Sequence, residues 1–129
     1  MNEHQPKICG DSITIYLTPP PSVNHIYCRG SKGRVFRSKN YTTWLKVSHL
    51  LVGRPGKIET PASVRFTFMG GKGFRPRRDL DNCEKALMDF LVHAGILEDD
   101  SYEHVPLIMK KYRPPLKATE KAKVRVIVR

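Results

Sequence analysis

Two stretches of this sequence restrict the folds open to it, because the spacing of apolar residues changes between them. In "ASVRFTFM" (62–69), Val64, Phe66 and Phe68 alternate with Ser63, Arg65 and Thr67, the two-residue period of a strand with one buried face. From Leu80 the spacing widens to three and four, through Cys83, Leu87, Phe90, Leu91 and Ala94. That is one stripe of an amphipathic helix. Asp79 stands where an N-cap belongs and Gly95 where a left-handed stop belongs, with Ile96 placed to pack back onto Leu91. A strand followed by a helix, each apolar on one side, requires a sheet that the helix can cover.

Other segments supply the rest of that sheet. "SITIYL" (12–17) alternates and is ended by "TPPPS", a short strand stopped by prolines. "KAKVRVIVR" alternates Ala122, Val124, Val126 and Val128 with charged neighbours, and "EHVPLIMKKYR" (103–113) reads as one more strand, interrupted at Pro106. "YTTWLKVSHLLV" (41–52) carries Trp44, Leu45, Val47, Leu51 and either Leu50 or Val52 at mixed helical spacing and is stopped by Gly53 and Pro55. "CRGSKGRVFRSKN" (28–40) mixes Gly, Ser and five bases, as a loop or hairpin tip does. The expectation is one α/β (α+β) domain over 1–129, a mixed β-sheet packed against two main helices. Residues 1–11 are set apart as a loosely ordered N-terminal extension. A chain of 129 residues has room for one modest core.

Composition narrows the chemistry. Three cysteines without a C-x-x-C pair, and five dispersed histidines, suggest neither a disulfide framework nor a structural zinc site. Any metal would therefore be held by oxygen. No apolar run approaches the roughly 20 residues of a membrane helix, and "MNEHQPKICG" lacks a signal peptide's apolar stretch. The expected location is the cytoplasm, without membrane attachment.

Charge is the most telling property. The chain has 23 Lys+Arg against 12 Asp+Glu. Yet eight of those acids fall between Asp79 and Glu103, where Lys85 is the single Lys or Arg. From Ser12 to Ile58 there are eight bases and no acid. So basic a surface attracts a polyanion, of which nucleic acid is the commonest. Arg29, Lys32, Arg34, Arg37 and Lys39, with Arg75, Arg77 and Arg78, are the residues expected to hold its phosphates.

The acidic island has two readings. In the first it is helix-start chemistry: acids at a helix N-terminus are favoured by capping and the macrodipole, each by roughly 0.3–1 kcal/mol, and Asp81 with Lys85 is an ordinary i,i+4 pair. In the second it is a metal site. Mg²⁺ takes oxygen ligands and keeps several waters, so two or three carboxylates hold it. The bound ion activates water and neutralises charge building on a phosphoryl group, and a neighbouring Lys adds to that stabilisation. Carboxylates set directly behind three arginines suit a nuclease, in which bases grip the backbone and acids hold the metal.

"RRDLDNCEKALMDFLVHAGILEDD" (77–100), with "LTPPPSVNHIY" upstream, resembles the RusA family of Holliday-junction resolvases, whose members read R-R-D-L-D-N, then Lys, Gly and a D-D pair, after P-P-S-x-N. The likeness spans roughly residues 12–129. It implies a small α/β homodimer that binds four-way DNA junctions and nicks them symmetrically in recombination and repair, using Mg²⁺ or Mn²⁺. Carried over by position, the essential carboxylates fall on Asp79, Asp81 and Asp100 and the essential lysine on Lys85. Asp99 ranks behind Asp100, and Asn24 matches the family's asparagine. Phe74 is open to two roles, stacking on an exposed base or packing in the core. The alternatives are a nucleic-acid-binding module without catalysis, and a nuclease for other branched DNA.

Overall fold

The computed structural model describes residues 6–9, 11–21, 27–74 and 81–129. Five strands form one sheet in the order β1 (Lys7–Cys9), β2 (Ser12–Leu17), β7 (Lys123–Val128), β5 (Ser63–Met69), β6 (Leu107–Arg113). A separate two-stranded hairpin, β3 (Tyr27–Arg29) and β4 (Val35–Arg37), lies between β2 and the first helix, α1 (Lys39–Val52). The second helix, α2 (Asp81–His93), links β5 to β6. That pair is parallel, in the register Ser63↔Leu107 to Met69↔Arg113, while every other pairing in the sheet is antiparallel. Parallel neighbours need a crossover connection, so α2 must return from the end where β5 finishes to the end where β6 begins. The sheet thus has an upper end, with Met69, Arg113 and Lys123, and a lower end, with Ser63, Leu107 and Val128.

One face of the sheet is dry. Ile13, Ile15, Leu17, Val64, Phe66, Phe68, Val124, Val126 and Val128 are all at most 2% exposed and share the core with Trp44, Cys83, Leu87, Phe90 and Leu91 from the helices. Phe90 meets Trp44 edge-on at 5.9 Å and His49 at 4.9 Å, tying α2 to α1. Their stripes match the expected spacing, with differences of detail. Val47 and Leu50 of α1 face solvent, while Tyr41 and Ser48 are buried in their place. Ser38 caps α1 by accepting a hydrogen bond from the Tyr41 N–H.

The end of α2 follows its sequence. Gly95 has φ 76°, the Ile96 N–H donates to Leu91 C=O, and the Gly95 N–H donates to Val92 C=O. These are the two bonds of a Schellman stop. Leu91 and Ile96 are both fully buried, as expected of the hydrophobic contact that accompanies it.

Three expectations change. Lys7–Cys9, assigned to a loose extension, pairs antiparallel with Cys9↔Ser12 to Lys7↔Thr14 and extends the sheet. The strand expected over 103–113 starts only at Leu107. The His104 and Val105 N–H groups donate to Ser101 C=O in a turn, and Pro106 has no N–H for a ladder. Phe74 is 6% exposed and stacked between Phe68 (5.8 Å) and Tyr112 (6.1 Å). It is a core residue and cannot meet a base.

Candidate active site and nucleic-acid interface

The hairpin presents what the 28–40 stretch promised. Arg29, Lys32, Arg34, Arg37 and Lys39 are all exposed, and a 3-10 turn over Ser31–Gly33 joins the strands. Lys32 at its centre has φ 63°, a conformation that L-residues adopt only at a steric cost. Arg37 also reaches back, its guanidinium carbon 5.7 Å from the Tyr41 ring centre, a distance suited to a cation–π contact. Asn24, Arg75, Arg77, Arg78 and Asp79 lie outside the described residues.

Asp81 opens α2 at the upper end of the sheet. Lys85 is one turn further on, its side chain half-exposed and its Nζ 3.8 Å from Asp89 Oδ2. Asp89 is the next acid down that face of α2 from the Asp81 position. Across from it, Lys110 Nζ donates to Glu84 Oε1 at 2.7 Å, fastening the first turn of α2 to β6.

Asp99 and Asp100 are exposed at the other end. Asp99 Oδ1 accepts the Asp100 N–H at 2.8 Å, and Asp99 Oδ2 lies 3.8 Å from His104 Nδ1. The backbone hydrogen bond from Asp100, helped by Ser101 and His104, holds the Asp99 carboxyl below the usual aspartate range. His104 is in turn fixed at the lower end, because its C=O accepts the Ala62 N–H beside the start of β5.

The two parts of the carboxylate set are therefore separated by the whole of α2. From Asp81 to His93 the helix rises roughly 18 Å at about 1.5 Å per residue. Among the described residues there is no group of three or more His, Cys, Asp or Glu placed to hold a metal ion. Along α2, Asp81 and the Glu98–Asp100 turn stand at opposite ends of the helix. No helix among the described residues is long and apolar enough to cross a membrane.

With this geometry in place, comparison with known proteins decides the family. Residues 17–129 match the sequence pattern of the family described as endodeoxyribonuclease RusA. The chain belongs to that family. Its similarity extends to the crossover junction endodeoxyribonuclease rusA of Enterobacteria phage HK97, with 31% identity over 100 residues, 78% of this chain and 76% of the phage protein. The match takes in the hairpin, both helices and four of the five strands of the main sheet, with β2 entering at its last residue. A RusA-family reading thus fits the mixed sheet with two helices on one face, and it leaves the residues of catalysis to be argued from placement.

Sequence reasoning missed one feature of the surface. The polar positions alternating with Val124 and Val126, and with Phe66 and Phe68, are basic in several strands at once. The alternation was visible, but only the strand order shows that these cations are neighbours.

Proposed function

We propose that this chain is a divalent-metal-dependent endonuclease that resolves four-way DNA junctions by paired nicks in recombination and repair. The observation that carries this reading is the family match over residues 17–129; the acidic island in a basic chain and the phage relative's name support it. The basic hairpin grips the phosphate backbone, and Arg75, Arg77 and Arg78, which precede α2 in sequence, add to that grip. Asp79, Asp81 and Asp100, with Asp99 beside the last, are the oxygen donors for Mg²⁺, for which Mn²⁺ can substitute. Lys85, half-exposed one turn below Asp81, offers its ammonium to charge developing on the scissile phosphate.

A homodimer resolves the separation of the donors. If two copies meet with α2 of one antiparallel to α2 of the other, the head of each helix faces the Glu98–Asp100 turn of its partner. Asp79 and Asp81 of one copy and Asp100 of the other then form each site. The twofold axis also provides two sites for opposite strands.

Cleavage of a synthetic four-way junction and of linear duplex, with and without Mg²⁺, tests the activity. Wild type nicks the junction in pairs, and Asp81→Asn and Asp100→Asn each bind without cutting. Mixing the two inactive variants restores unpaired nicks, because a mixed dimer keeps one intact site. Binding without cleavage by wild type in either Mg²⁺ or Mn²⁺ would favour a non-catalytic DNA-binding module. A mixture that stays inactive despite exchange of subunits would place the whole donor set in one chain.

A further inference from the structure

The face of the sheet away from the helices is neither apolar nor neutral. Register places Arg65 beside Met109 and Ile127, Lys111 and Arg125 on either side of Thr67, and Lys123 and Arg113 on either side of Met69. These five cations occupy three adjacent rows on three neighbouring strands. Among the described residues no Asp or Glu side chain belongs to this face of β2, β5, β6 or β7. The stems of the cations cover the sheet, and Thr67 at the centre is only 3% exposed although it points away from the helices.

The patch continues past the upper end. Lys72, in the turn after β5, bridges to Lys121, in the turn before β7. The Lys72 N–H donates to Glu120 C=O, and the Ala122 N–H returns a bond to Lys72 C=O. Glu120 is the acid at this border, and its carboxylate is engaged: it accepts the Leu116 N–H at 2.8 Å and lies 4.0 Å from Arg113. The Nε atoms of Arg113 and Arg125 are buried without an acceptor in the protein, which leaves those guanidinium groups under-satisfied.

We infer that this face is a second DNA-binding surface, which holds the phosphate backbone of a duplex arm leading away from the cleavage site. The inference rests on the nuclease reading given above. Three observations favour duplex phosphates over other occupants. Cations that share a row flank β5 and stand two strand spacings, about 10 Å, apart, and those two residues apart on one strand stand about 6.7 Å apart, spacings suited to several contacts on a backbone carrying a charge every ~1.7 Å along its axis. Surfaces for single strands stack bases on aromatic rings, whereas the one aromatic side chain that register places here, Tyr16, has Lys123 Nζ over its ring at 5.3 Å. A second copy docked face to face would set this patch against an identical one, and like charges repel. The turn after β5 is followed in sequence by Arg75, Arg77 and Arg78.

The test uses full-length protein without metal, so that only binding is read. Affinity for a four-way junction is measured against salt for wild type and for Arg65→Gln/Lys111→Gln/Lys121→Gln, three exposed positions. Loss of three phosphate contacts at ~0.9 each lowers the slope of log affinity against log salt by about 2–3, and the deficit grows with the length of the junction arms. An unchanged slope in a variant with wild-type melting overturns the inference while leaving the nuclease reading intact. So does a variant that binds DNA normally but no longer sediments as wild type does, since the face would then join two copies. Wild-type protein that binds no junction at all would instead remove the nuclease reading on which the inference stands.

Discussion

Gly71 and Gly95 both have positive φ, at 150° and 76°, yet replacing them with alanine should have very different consequences. At Gly95 an added Cβ meets only the end of the Arg54 side chain, at 3.5 Å. The cost there is the left-handed conformation itself, about 1–2 kcal/mol. At Gly71 the same atom would overlap the Glu120 carbonyl oxygen and lie 2.9 Å from the Ala122 nitrogen. These are backbone atoms of a turn held by two hydrogen bonds to Lys72, so they cannot withdraw as a side chain would. Overpacking of this kind adds roughly 1–3 kcal/mol. Gly71→Ala should therefore lose about 2–5 kcal/mol in all. In a domain of this size each kcal/mol lowers Tm by roughly 3–6 °C, so the two variants should be clearly separated. Urea unfolding and thermal melting of both, side by side, read the difference. Equal losses would show that the turn yields freely and that its close approach to Gly71 is not a constraint. Because the same turn carries Lys72 and leads toward Arg75, junction binding by Gly71→Ala should also weaken below its melting temperature.

Two further expectations concern the core and the helix pair. Phe90→Ala removes a fully buried ring that contacts both Trp44 and His49, and should cost about 3–5 kcal/mol in urea unfolding; a loss under 1 kcal/mol would mean the helices repack without it. His49 is held below the ordinary histidine pKa, first by burial and then by His93 and Arg54. It binds its proton more weakly folded than unfolded, so its contribution to stability falls as pH drops from about 6.5 toward the folded value. His49→Gln should make the urea midpoint depend less on pH between 7 and 5, and an identical dependence would assign the effect elsewhere.

The sequence alone determined the elements whose cause is local. The period-two runs around Phe66 and Val126, the three-and-four spacing from Cys83 to Ala94 and the glycine stop at Gly95 all depend on residues close in the chain. The same holds for the family motif, because its residues stand at fixed separations along one segment. What sequence could not supply was anything set by the meeting of distant strands. Phe74 read as open to two roles until Phe68 and Tyr112 closed around it. Lys7–Cys9 became a strand only because β2 offered an edge. Arg65, Lys111 and Arg125 are far apart in the chain and became one patch only through the register of three strands. The acidic island looked like a single cluster, since Asp81 and Asp100 are near in sequence. A helix is a rigid rod of fixed rise per residue, and α2, laid between parallel strands, carries them to opposite ends of the sheet.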